Sequence, residues 1–181
     1  MSSIKALYAN LGGLVADAWA NRTPSFPSRK LGRMLILGSG AGEMTMPGKF
    51  ILKDDVRRDE LEVVRLGWLS TPASTGANHL TVLEGTFFPG KGHSFHYHAD
   101  QEELIYVISG TVEHWIEQEK RILGPGDSVF MPPKIVHATF NVGTEDARVV
   151  AILGPSVGDM GVEQIDVSGE APWNGLRANS S

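Results

Sequence analysis

Cysteine is absent from the 181 residues, which excludes disulfides and thiolate ligands and leaves nitrogen and oxygen as the only donors for a metal. No apolar run approaches the roughly 20 residues that a membrane-crossing helix needs, so the chain carries no such span. Basic charge is also scarce. Sixteen Lys and Arg against 21 Asp and Glu leave a net charge of −5, which points away from nucleic acid and acidic membrane as partners. The start, "MSSIKALYANLGGLVADAWA", ends in a motif resembling a signal-peptidase site. It has a single lysine before its apolar part, however, and Asn10 and Asp17 interrupt that part, so a cytoplasmic location is expected.

The length and the 41% apolar content suit one globular domain with extensions. Ile4, Leu7, Leu11, Leu14, Val15, Ala18 and Trp19 recur at helical spacing and predict an amphipathic helix over 3–20, weakened by Gly12-Gly13. Residues 21–30 read as a linker. "RMLILGSGAGEM" imitates a dinucleotide-binding turn, but Glu43 stands where the fingerprint needs a small residue and would repel a pyrophosphate, so it reads as a glycine-rich turn. Arg57-Arg58 and Lys120-Arg121 read as solvated charge.

From about residue 61 the texture changes to short apolar runs separated by Gly and Pro. Strands are predicted at 62–70, 79–88, 94–98, 103–109, 111–118, 120–123, 127–131, 136–142 and 147–153, an all-β sandwich or barrel. The expected organisation is a helical arm and linker over 1–60, packing on the β domain or a partner subunit, the β domain itself over 61–154, and an extension over 155–181. In that extension Trp173 packs on the barrel.

Half of the six histidines fall in "GKGHSFHYHADQEELIYVISG". His96 and His98 are two apart and share a strand face, Glu103 opens the next strand, and His137 lies on a third. Three imidazoles and a carboxylate can converge inside a barrel and suit one divalent transition metal: Fe, Mn, Ni, Zn or Cu. By parity Ile105, Val107 and Thr139 face the interior, whereas the choice between Phe87 and Phe88 depends on register. His93 is expected to be exposed or to support the ligands, with a proton carrier at the site mouth as the other option. His114 reads as structural, and His79 and Glu102 as surface residues.

These stretches resemble the two motifs of the cupins. Gly90, His96, His98, Glu103 and Gly110 match the first, and Gly126, Pro132, His137 and Asn141 match the second, with Lys134 in place of a glycine. The resemblance, over about residues 79–153, implies a double-stranded β-helix (jelly roll, cupin barrel) with His96, His98, Glu103 and His137 as metal ligands. It also implies a small-molecule substrate and a homodimer. Family precedent includes flavonol-cleaving dioxygenases, lyases and isomerases. In some of these the ligand glutamate leaves the metal to act as a base, and Glu103 would take that catalytic role. The leading expectation is an oxygenase-like enzyme. The alternatives are a non-enzymatic small-molecule binding or sensing barrel with a structural metal, a metal-dependent lyase or isomerase, and a metal-free sugar epimerase.

Overall fold

The structure, a computed structural model, describes residues 48–177. The expected helix over 3–20, the linker and the turn at Gly38–Gly42 lie outside the described residues. No helix among the described residues is long and apolar enough to cross a membrane.

The strands in chain order are β1 (Arg57–Glu60), β2 (Val64–Ser70), β3 (Thr81–Phe87), β4 (Gly92–Tyr97), β5 (Glu102–Ser109), β6 (Val112–Ile116), β7 (Glu119–Leu123), β8 (Ser128–Met131), β9 (His137–Asn141), β10 (Ala147–Gly154) and β11 (Ile165–Asp166). Two single-turn helices, α1 (Pro72–Thr75) and α2 (Trp173–Leu176), complete the described chain. One sheet has the order β1-β2-β3-β10-β5-β8 and the other β11-β4-β9-β6-β7. Strands β3 to β10 form an eight-stranded jelly roll in which the chain changes sheet at every step except the β6–β7 hairpin. β1 and β2 widen one sheet, and β11 adds to the edge of the other.

Alternation builds the interior. On β5, Glu103, Ile105 and Val107 are buried while Glu102, Tyr106 and Ile108 are exposed. Val64, Phe87, Ile105, Val107, Val112, Met131, Ala147 and Val149 form one core between the sheets. β9 is buried along its whole length because both faces of its sheet are covered. Its outer face carries Ala138 and Phe140, which pack with Phe95, Trp115 and Val167 beneath Trp173 and Leu176. The Trp173 ring stacks on Phe95 at 5.9 Å. Arg177 then lies over the Phe140 ring at 3.7 Å and approaches Glu113 at 3.5 Å.

Two charged pairs differ from their solvated reading. Arg57 lies on β1, bonds Asp59 at 3.0 Å and sits 6.0 Å from the Trp68 ring centroid, while Arg58 is exposed. Lys120 pairs at 2.9 Å with Glu113, a buried carboxylate that also accepts from Trp115 Nε1. A charged side chain is stable beside a sheet when it meets its counter-charge there.

The turn before His137 keeps the form its motif glycine would give. Lys134 adopts φ 71°, and its backbone N–H donates to the His98 carbonyl at 2.7 Å, joining the two ligand segments. A left-handed conformation costs a side-chain-bearing residue about 1–2 kcal/mol, part of which glycine loses again through its freer unfolded chain. Lys134→Gly is therefore expected to raise stability by about 0.5–1 kcal/mol, read as a higher urea midpoint at unchanged slope. A lower midpoint would show that the lysine side chain itself holds the turn. The second motif's Asn141 is fully buried and staples three segments, donating to the Phe87 and Glu145 carbonyls and accepting from Gly143 N–H.

Candidate metal centre

His96 on β4, His98 one residue past its end, Glu103 on β5 and His137 on β9 meet between the sheets. His96 and His137 are direct cross-strand partners. One donor atom from each of the four lies within 4.8 Å of the others, and all four residues are buried.

The hydrogen bonds fix which ring nitrogen faces the centre. Nδ1 of His96 donates to the Ser94 carbonyl at 2.7 Å, Nδ1 of His98 to the Glu163 carbonyl at 2.6 Å, and Nδ1 of His137 to the Ile135 carbonyl at 3.0 Å. A carbonyl can only accept, so each Nδ1 carries the proton and each neutral ring turns a lone pair on Nε2 inward. His137 Nε2 is 2.8 Å from a Glu103 oxygen but is not aligned with it, and it is left buried without a hydrogen bond. A buried polar atom without a partner is costly. A cation at the common focus would satisfy it together with the Glu103 carboxylate. Opposite donors around such an ion stand about 4–4.4 Å apart for bonds of about 2.0–2.2 Å. The cluster is thus compatible with a metal ion.

Electrostatics agree with an anion surrounded by imidazoles. Burial alone would raise the Glu103 carboxyl, but its close contacts with the His137 and His98 rings overcome it and hold the group well below the usual carboxylate range. Burial holds His96 well below the ordinary imidazole value, and the neighbouring rings reinforce this. His98 is raised, because its contact with Glu103 at 3.2 Å outweighs burial.

A cavity of about 80 Å³ opens beside the cluster, room for roughly five to eight waters at ~10–15 Å³ each. Val64, Leu66, Trp68, Phe87, Ile105 and Leu153 supply most of its apolar wall, with His93, Thr139 and Gln164 among its polar lining. Phe87 lines it and Phe88 does not, which settles the register. Ile105 and Thr139 face it as parity predicts, and Val107 lies buried in the adjoining core.

His93 departs from a surface position. It is three residues from His96, so an even pleat would put the two on opposite faces. A bulge between His93 and His96 in the pairing with β9 turns both toward the cavity. Their rings lie 4.0 Å apart, and burial lowers His93 to about 4. His114 is buried, with Nδ1 2.9 Å from the Thr139 hydroxyl. Burial first and His137 second lower it to about 4. His79 and Glu102 are exposed. The Glu163 carbonyl and the wall residues Val162 and Gln164 escape sequence reasoning, because the stretch after 155 has no periodicity to place it.

Comparison with known proteins follows the same lines. The family profile described as "Cupin domain" matches residues 80–153. Polyketide synthase CurC of Streptomyces cyaneus is 30% identical over 110 residues, covering 61% of this chain and 71% of that protein. Protein SchB of Streptomyces halstedii is 31% identical over 108 residues, covering 57% and 78%. Among solved structures, KdgF from Halomonas sp. superposes with a TM-score of 0.56 at 23% identity, over 63% of this chain and 99% of that one.

Proposed function

The chain belongs to the cupin superfamily, and on that premise we propose that it is a metal-dependent, oxygenase-like enzyme acting on a small organic molecule held in the barrel. The observation that carries this reading is the focus of four buried donors, the three imidazole tautomers set by backbone carbonyls, at the polar end of an apolar cavity. His96, His98, Glu103 and His137 would hold one divalent ion of Fe, Mn, Ni, Zn or Cu. When bound, the ion supplies Lewis-acid or redox chemistry at an oxygen of the substrate.

The chain's own residues do the rest. Three neutral imidazoles and one carboxylate leave a divalent centre with a charge of +1, which favours a substrate bound as an enolate or alkoxide. Trp68, Phe87, Ile105 and Leu153 take the carbon skeleton and exclude water, which strengthens every polar contact inside. Glu103 is ionised and can take a proton from the carbon or hydroxyl that enters beside it. The His93 ring faces the cavity and makes no hydrogen bond with any described residue, so it is free to bond a second substrate oxygen. The relative named a polyketide synthase supports a substrate of that kind, a carbon frame bearing keto and hydroxyl groups.

The test uses protein loaded separately with each of the five metals and a flavonol as probe, which has adjacent keto and hydroxyl groups. Expected are quenching of Trp68 fluorescence on binding, oxygen uptake with loss of the flavonol, and a His93→Phe variant whose KM rises about tenfold or more, the cost of one lost hydrogen bond. Quenching without turnover would replace the enzyme by a binding barrel. Product without oxygen uptake would replace the oxygenase by a lyase or isomerase.

A further inference from the structure

The histidine cluster accounts for the interior of the two sheets but not for a buried amide just outside them. Gln101 sits in the bend between His98 and Glu103, flanked by the exposed Asp100 and Glu102, yet only 2% of its surface is accessible. All three of its side-chain hydrogen bonds go to the backbone of one distant segment. Nε2 donates to the Pro155 carbonyl at 2.7 Å and to the Gly161 carbonyl at 2.9 Å, and Oε1 accepts from Glu163 N–H at 3.1 Å.

That segment serves the site twice. The Glu163 carbonyl fixes His98 Nδ1 at 2.6 Å, and Val162 and Gln164 line the cavity. We propose that Gln101 is a positioning residue: its amide holds the 155–163 segment so that the Glu163 carbonyl orients His98 and Val162 closes the cavity wall. The proposal rests on the metal-binding reading of the cluster.

Independent features show that the segment needs holding. Among the described residues it has little regular pairing of its own, a single bridge between Val157 and Gly161 and then β11. The Thr81 hydroxyl donates to the same Gly161 carbonyl at 2.8 Å. Gly161 has φ 81°, and a Cβ there would run into the Thr81 hydroxyl, so the carbonyl that Gln101 grips comes from a position only glycine fits well. Partners that orient a ligand imidazole typically change metal affinity by about 10–100-fold when removed.

The test compares unaltered protein with Gln101→Met, which keeps the length and loses all three bonds. Gln101→Glu keeps only the acceptor toward Glu163 N–H. Glu113→Gln, on the outer face, weakens packing remote from the segment. Each metal-free protein is titrated with Co²⁺ by calorimetry, and the visible bands are recorded at saturating Co²⁺.

We expect Gln101→Met to bind Co²⁺ about 10–100-fold more weakly with shifted bands, and Gln101→Glu, which sets a carboxylate oxygen against the Pro155 and Gly161 carbonyls, to shift the bands as well. Glu113→Gln should keep the unaltered affinity and spectrum despite a lower melting temperature. Equal affinity and identical bands in Gln101→Met would overturn the assignment while leaving the metal centre standing. Failure of the unaltered protein to take up Co²⁺ would remove the centre and this assignment with it. If Gln101→Met does not fold, Gln101→Glu carries the same comparison.

Discussion

Protein carrying His96→Ala together with His137→Ala is expected to leave purification without transition metal, whereas the unaltered chain holds about one ion. The two substitutions remove cross-strand partners that contribute two of the three inward lone pairs. What remains is His98 and Glu103, already 3.2 Å apart, which would satisfy each other once His98 takes a second proton on Nε2. Two donors from one short stretch, free to neutralise one another, do not compete for a divalent ion against buffer and water. Elemental analysis of both proteins prepared without added metal or chelator reads the result, and far-ultraviolet circular dichroism confirms that the variant keeps its sheets. Equal metal content in a folded variant would place the ion elsewhere.

Gly110→Ala is expected to destabilise the protein by about 2–5 kcal/mol, the sum of a left-handed conformation at about 1–2 and overpacking at about 1–3. Gly110 has φ 84°, and a Cβ there would stand 2.6 Å from Ala147 Cα and 2.8 Å from its Cβ. Ala147 is fully buried and paired with Phe87 at the start of β10, so the obstacle is backbone that cannot swing aside. Gly126, which opens the second motif, has φ 95° but open space around it, so Gly126→Ala should cost only the conformational part. Against typical domain stabilities of about 5–15 kcal/mol, the first change brings the protein near its folding limit and the second does not. Urea unfolding of both variants checks the contrast. Equal costs would mean that the close approach of the β5–β6 turn to β10 does not constrain the fold.

Much of this site was legible in the sequence because its donors obey local rules. His96 and His98 are two apart, Glu103 opens an alternating run, and His137 stands in a second motif with its own Pro and Asn. What parity missed, it missed for physical reasons. His93 stays open between an exposed position and a supporting role at the site, because only a bulge, invisible in residue types, turns it to the same side as His96. Strand β1, "RRDE", has no apolar alternation. It becomes a strand because its backbone pairs with β2 from Arg57↔Trp68 to Glu60↔Arg65, while Trp68 donates to Asp59 at 2.8 Å. Gln101 looks like part of a polar bend, because its role depends on hydrogen bonds to residues more than fifty positions away. Lys134 breaks the glycine pattern in the alphabet while keeping it in the backbone.

The most direct test of the account is anomalous diffraction from crystals of the protein reconstituted with a single transition metal, recorded on both sides of that metal's absorption edge. The account predicts one strong peak per chain between the sheets, within about 2.0–2.2 Å of Nε2 of His96, His98 and His137 and of a Glu103 carboxylate oxygen. No peak there with any of Fe, Mn, Ni, Zn or Cu, or a peak bound by other residues, would contradict it.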